Sequence, residues 1–249
     1  MKLVVVGCSG SMPGPTSPGS CYLVEHDGFR VVVDLGNGSL GALQQRIDLP
    51  QIDAIVLSHL HADHCIDMTS LYVAHRYGPY AFSGRIAVYG PSDSAERLAQ
   101  AYGMSSARAM LSAFDFLDLA SAAAIGPFRI RAERVAHPIE AYGVRLTADD
   151  AALVYTGDTG PCRAIDQLAS GADVLLAEAS FVEGEVNPTD LHLTGREAGA
   201  LAQQGEVGRL VLTHVPPWHD PGVALTEASA AFDGPIDLAT PGLTVEVAR

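Results

Sequence analysis

Basic residues are scarce. Against 29 Asp and Glu, the 249-residue chain carries 15 Lys and Arg, for a net charge of −14. A protein that follows a nucleic-acid backbone needs cations at the phosphates, so this balance argues against a long polyanion as partner. It leaves room for a small anion held by metal ions, and bound dications would offset part of the charge. Cysteine is scarce too. Cys8, Cys21, Cys65 and Cys162 form no CxxC pair and are too few for a disulfide framework. They read as free thiols of a reducing cytoplasm. No apolar run approaches the roughly eighteen residues of a membrane span. Leu3 to Val6 is too short for the hydrophobic region of an export signal. Low-complexity stretches, linkers and obvious internal repeats are missing as well.

What is present is a globular composition, 48% hydrophobic, in a chain long enough to bury a sizeable core. One domain over residues 1–249 is expected. Strand and helix signals alternate, which indicates α/β layers. Lys2–Val6 reads as a strand, then residues 7–19 as a Gly/Ser/Pro loop without a dinucleotide or Walker pattern. Cys21–His26 and Phe29–Asp34 read as a hairpin across Asp27-Gly28. Helices are expected over Met68–Tyr77, from Ser92-Asp93 to Tyr102, over Ser105–Leu117, over Arg163–Ala169, after a Thr194-x-x-Glu197 capping box, and over Ala224–Phe232. Two short strands close the chain.

The organising stretch is Asp53 to Cys65, DAIVLSHLHADHC. The apolar run Ile52–Leu57 has the length and β-branching of a buried strand. His59, His61, Asp63 and His64 follow at its carboxyl end, where open α/β sheets place ligand sites. Imidazole and carboxylate are ligands for zinc and related ions. His59 and His61 point the same way in extended chain. The adjacent Asp63 and His64 more easily serve a second ion than crowd the first. Other apolar strands also run into one ionisable residue: His137, Asp158, Glu178 and His214. Singly each could be a turn former; together they propose one site along one sheet edge. Asp34 also ends an apolar strand and either braces the metal loop or caps a turn. His26, His75 and His219 stand outside the pattern.

His59-x-His61-x-Asp63-His64 with His137, Asp158 and His214 resembles the metallo-β-lactamase superfamily, over nearly the whole chain. The resemblance implies an α/β fold, a four-layer αβ/βα sandwich. It implies two divalent metal ions, Zn2+ foremost and Mn2+ or Fe2+ as alternatives. His59, His61 and His137 would hold one ion, Asp63, His64 and His214 the other, with Asp158 bridging and a hydroxide between them as nucleophile. Tyr89-Gly90-Pro91, Ala177-Glu178-Ala179-Ser180 and His192-Leu193-Thr194 resemble the ribonuclease Z-like branch. That implies catalytic roles for Asp63, Glu178 and His192, with Glu178 orienting His192 as proton donor to the leaving oxygen. A closer resemblance is carried by Gly7-Cys8-Ser9-Gly10-Ser11, by residues 192–199 and by Thr213-His214-Val215-Pro216-Pro217-Trp218. These look like atypical actinobacterial cyclic-nucleotide phosphodiesterases, with 3′,5′-cyclic AMP as substrate. Trp218 and Thr194 are then expected substrate contacts, and a homodimer is expected by analogy with the branch. One departure matters: only twenty residues separate His137 from Asp158, where transfer-RNA-processing members carry a long arm. The competing readings are a transfer RNA 3′-endonuclease, a lactone or ester hydrolase, and a binding protein on a retired enzyme scaffold.

Overall fold

The computed structural model describes residues 1–248. Two seven-stranded sheets face each other, in the orders β14-β1-β2-β3-β4-β5-β6 and β13-β12-β11-β10-β9-β8-β7. The first contains β1 (Lys2–Gly7), β2 (Cys21–His26), β3 (Phe29–Val33), β4 (Ala54–Val56), β5 (Ile86–Gly90), β6 (Phe114–Asp118) and β14 (Thr244–Glu246). Helices α1 (Ser39–Leu43), α2 (Ala62–Cys65), α3 (Met68–Tyr77) and α4 (Ser94–Ala101) connect its strands. The second contains β7 (Ala124–Ile125), β8 (Phe128–Arg134), β9 (Tyr142–Ala148), β10 (Ala151–Tyr155), β11 (Val174–Glu178), β12 (Arg209–Thr213) and β13 (Ile236–Leu238). Its helices are α5 (Arg163–Ala169), α6 (Gly195–Gln204) and α7 (Pro221–Ser229).

The inner strands are apolar on both faces because both are covered. In β1, Leu3 and Val5 enter the core between the sheets, while Val4 and Val6 pack under the helices. In β10 and β11, Leu153, Tyr155 and Leu176 face the other sheet, and Val154, Leu175 and Ala177 face α5 and α6. This period-2 division makes near-continuous apolar runs out of strands covered on both faces. The result is the expected αβ/βα sandwich. Among the described residues no helix is long and apolar enough to cross a membrane, and all four cysteines are free.

Strand direction places the site. β3, β4, β5 and β6 run parallel, as do β10, β11, β12 and β13. β8 is antiparallel to β9, and β9 to β10, so β8 shares the direction of β10. The carboxyl ends that lead to Asp34, His59, His137, Asp158, Glu178 and His214 therefore converge.

The helix expected over Ser105–Leu117 does not form. A single 3-10 turn, Met110–Ser112, precedes β6, which pairs in register with β5 from Ile86↔Phe114 to Gly90↔Asp118. The Ala, Arg and Met of this stretch favour helix, but the open edge of β5 offers Phe114 a buried position, and pairing overrides propensity.

Candidate metal centre

The loop after β4 leads into α2, whose N-cap is His61 in extended conformation. That turn brings His59 and His61 together by different ring atoms, His59 Nε2 to His61 Nδ1 at 3.2 Å. One helical turn then presents Asp63 and His64 to the other side. The turn is held by its own carbonyls: Ser20 N donates to Asp63 O at 2.9 Å and Leu35 N to His64 O at 2.7 Å. Gly36 makes this approach, since a Cβ there would lie 1.9 Å from Asp63 O. Asp34 and His214 both adopt left-handed backbone, φ 58 and φ 57, an uncommon conformation for such residues that clusters at functional sites.

Two ligand groups result. In one, atoms of His59, His61, His137 and Asp158 lie within 4.8 Å of one another; in the other, atoms of Asp63, His64, Asp158 and His214 do. Asp158 belongs to both. All seven residues expected as ligands are thus brought together.

The groups behind the rings decide what the ring nitrogens can do. His64 Nδ1 donates to Asp34 Oδ2 at 2.7 Å. His137 Nδ1 donates to the Leu191 carbonyl at 3.1 Å. The Ser180 hydroxyl donates to His214 O, so its oxygen accepts from His214 Nδ1, both at 2.8 Å. Ser58 Oγ donates to Asp34 Oδ2 at 2.8 Å and accepts from His59 Nδ1 at 3.1 Å. In its neutral form each of these four rings therefore turns a bare lone pair inward. His64 Nε2 and His214 Nε2 face each other at 3.0 Å, with Asp63 Oδ2 3.1 Å from His214. Asp158 Oδ1 is buried without a hydrogen-bond partner, although His64 Nε2 and His214 Nε2 are 3.2 and 3.4 Å away. Acceptors do not gather around acceptors unless a cation joins them. Ligands bound at about 2.0–2.2 Å to a tetrahedral ion lie about 3.3 Å apart, close to this spacing. The residues present fit divalent metal.

Electrostatics agrees at three of the rings and differs at His64, where burial works against the charge but Asp158 and then Asp34 outweigh it and raise the pKa well above the ordinary value, supplying the positive charge that an ion would bring. Burial, and then neighbouring His64, hold the His59 pKa well below the ordinary histidine value, which keeps its lone pair free. Burial and then the neighbouring His137 lower His61, and burial lowers His137. Burial opposes ionising Asp63, but the neighbouring His214 and His64 rings outweigh it and keep the carboxyl ionised.

Glu178 and His192 lie alongside. His192 Nδ1 donates to Glu178 Oε1 at 2.9 Å, and Glu178 also accepts from Thr159 N at 2.8 Å. With His214 they form a third cluster of ligand-competent atoms. Both His214 nitrogens are already committed, so this trio is a hydrogen-bonded pair beside the centre. Burial works against charging His192, but the Glu178 carboxylate outweighs it, and the pKa is pushed up to about 9. The Phe181 ring packs edge-on to His192, centroids 5.0 Å apart.

The two expected substrate contacts sit differently. The Thr194 hydroxyl is engaged in the α6 capping box, accepting from Glu197 N at 3.2 Å and donating to Glu197 Oε2 at 3.1 Å. Trp218 is 61% exposed, with His219 as its ring neighbour. Sequence reasoning passed over Ser58, Ser180 and Tyr155, whose polar atoms brace the centre. Only Ser58, a hydroxyl shortly after an apolar strand and directly before His59, carried a local signal.

Residues 30–215 match the model of the beta-lactamase superfamily domain. The chain belongs to that superfamily. The uncharacterized protein Rv1339 of Mycobacterium tuberculosis is 43% identical to it over 256 residues, spanning 100% of this chain and 93% of the relative. The probable metallo-hydrolase YhfI of Bacillus subtilis is 28% identical, covering 99% of this chain and 100% of that protein. The crystal structure of YhfI superposes with a TM-score of 0.87 at 26% identity, over 98% of each chain. Ribonuclease Z of Mycobacterium bovis is 28% identical, covering 96% of both. This superfamily member is thus a metallo-hydrolase of the β-lactamase fold with clustered His and Asp side chains able to hold metal.

Proposed function

We propose that the protein is a dinuclear phosphodiesterase for small substrates, opening 3′,5′-cyclic AMP to 5′-AMP. The observation that carries this reading is the Glu178–His192 pair at the edge of the metal centre. Hydrolysis of a lactone or β-lactam does not account for it, whereas expulsion of an alkoxide from phosphorus needs a proton donor at that position. When bound, two divalent ions would polarise the phosphoryl group and lower the pKa of water. Asp63, beside His64 and His214, is placed to accept the proton that water loses. His192, its Nδ1 committed to Glu178, keeps Nε2 to protonate the 3′ oxygen as the ring opens. The relatives named ribonuclease Z support a phosphodiester as the bond broken.

Size of substrate follows from two features. β9 and β10 join through the tight Asp149-Asp150 turn, so the His137–Asp158 interval forms two strands and no arm. The acidic surface offers little to a polynucleotide backbone. Trp218, on the loop after His214, has an exposed face on which a base can stack, worth roughly 1–3 kcal/mol per base. The cytoplasm and a homodimer remain the expected setting and assembly.

Two measurements test this. Gently purified protein should carry about two divalent ions per chain, zinc foremost, and lose activity with chelator; a chain that takes up no metal would end the hydrolase reading. Chromatography of digests should show 5′-AMP, not 3′-AMP, from 3′,5′-cyclic AMP, and precursor transfer RNA left uncut. Efficient 3′ trimming of transfer RNA with inert cyclic AMP would reverse the assignment.

A further inference from the structure

His192 sits on neither strand nor helix. It lies in the long connection between β11 and α6, which closes on itself at a neck where Phe181 N donates to Leu193 O at 3.0 Å. Beyond the neck the segment runs into solvent, and Val186 is fully exposed. One side chain from elsewhere holds both ends of this segment. Glu227 of α7 accepts from Glu183 N through Oε1 at 2.8 Å and from Gly195 N through Oε2 at 3.0 Å. It is 9% exposed. The reach is built in, because a Cβ at Gly195 would meet Ala224 O at 2.3 Å, so only glycine lets α7 lie this close.

Capping of α6 accounts for only one oxygen of the carboxylate. Thr194 and Glu197 form that helix's capping box, which leaves the first-turn Gly195 N–H to Oε2, while Oε1 reaches back to Glu183. A buried carboxylate is costly unless its oxygens are hydrogen-bonded, and here each oxygen takes a backbone N–H from opposite ends of one loop. An amide has a single acceptor oxygen and could serve only one of them.

We propose that Glu227 is a positioning residue for His192. It fastens residues 183 and 195 together, so that the loop between presents His192 Nδ1 to Glu178 and aims the rest of the ring at the metal centre. The inference rests on His192 acting as the proton donor.

The test uses metal-loaded enzyme and two methyl phosphodiesters that differ only in the leaving group, phenol or nitrophenol. The Glu227→Gln substitution should lower kcat on the phenyl ester by about tenfold, a part of the roughly 10²–10⁴-fold that a positioned general acid supplies, with KM and metal content within about twofold of the parent. On the nitrophenyl ester, which needs little protonation, the loss should be less than about threefold. Added to His192→Ala, it should cost nothing further. The Glu227→Asp variant, which keeps the charge and shortens the reach, serves if the amide fails to fold and should show the same leaving-group bias. Arg196→Ala, which removes the exposed ion pair between Arg196 of α6 and Glu183 of the loop, should leave both rates unchanged. Equal losses on both esters, or no loss, would overturn the inference. His192→Ala measured alongside separates the two claims: bias in His192→Ala but not at Glu227 defeats this inference alone, and no bias in His192→Ala defeats the proton-donor reading and this one with it.

Discussion

Replacing His192 by alanine should lower turnover of cyclic AMP by about 10²–10⁴-fold, the range general acid catalysis supplies, while metal stays bound. The separation is expected because His192 lies outside both ligand groups that share Asp158. Its Nδ1 proton is held by Glu178, fully buried and itself anchored by Thr159 N and, more weakly, by Ser180 N at 3.4 Å. An aryl phosphodiester with a very good leaving group should show a much smaller defect. Glu178→Ala should be harmful but milder, and the double variant should match His192→Ala, because the two act as a unit. The pKa supports this division. Burial disfavours the imidazolium, Glu178 favours it more strongly, and the balance stands at about 9 in the metal-free protein. The acid form is therefore fully present at neutral pH and lost as pH rises through that value. Glu178→Gln should bring the titration of His192 down toward the ordinary histidine range, readable by NMR on metal-free protein. An equal kinetic defect on both classes of substrate would move His192 from proton donor to phosphate binding.

The placement of this site was legible in the sequence to an unusual degree, for a physical reason. Metal ligands must be His, Asp or similar, and in parallel α/β sheets they gather at strand ends. An apolar run that stops at His59, Asp158, Glu178 or His214 thus reports both its secondary structure and its place in the cluster. What stands behind the ligands was less legible. Asp34 was readable as brace or as cap; its four acceptor contacts decide for the brace. Ser180 and Tyr155 carry residue types common in any strand or turn, and only the fold shows that their hydroxyls reach His214 and Asp34. Glu227 was out of reach for a different reason: its partners lie 32 and 44 residues away, and nothing local marks it. Thr194 shows the converse. Its Thr-x-x-Glu spacing announced a capping box, and the structure spends the hydroxyl there. The errors of secondary structure fell where local propensity and long-range pairing disagree, as at Phe114–Asp118. The short α1 and the small β7 carry too few residues to show a period.

Asp34→Asn should strip metal from a protein that still folds. Asp34 is fully buried and accepts four hydrogen bonds: Ser58 N at 2.7 Å on Oδ1, and Ser58 Oγ, His64 Nδ1 and Tyr155 OH at 2.8, 2.7 and 2.9 Å on Oδ2. The carboxylate can meet four donors because it carries no proton; an amide of the same shape presents one oxygen and one NH2. The Ser58 backbone N–H cannot adapt, so the oxygen must stay with it, and the NH2 then faces the other three. The Ser58 and Tyr155 hydroxyls can rotate and accept. His64 can accommodate a donor at Nδ1 only by moving its proton to Nε2, the atom that faces His214 Nε2 at 3.0 Å. A proton there occupies the place of the ion. Ser58, once it accepts from the amide, is also free to donate to His59 Nδ1, which would turn that ring the same way. Metal affinity should fall by about 10–100-fold, first at the Asp63–His64–His214 group, as for other outer-shell partners of ligating histidines. The strain should cost about 1–3 kcal/mol of stability, the range for one buried group left without its partner. Elemental analysis after dialysis against a weak chelator, with denaturant unfolding of the same sample, reads both quantities. Retention of full metal content at parental affinity would show that Asp34 holds the loop and does not set the protonation of the ligands.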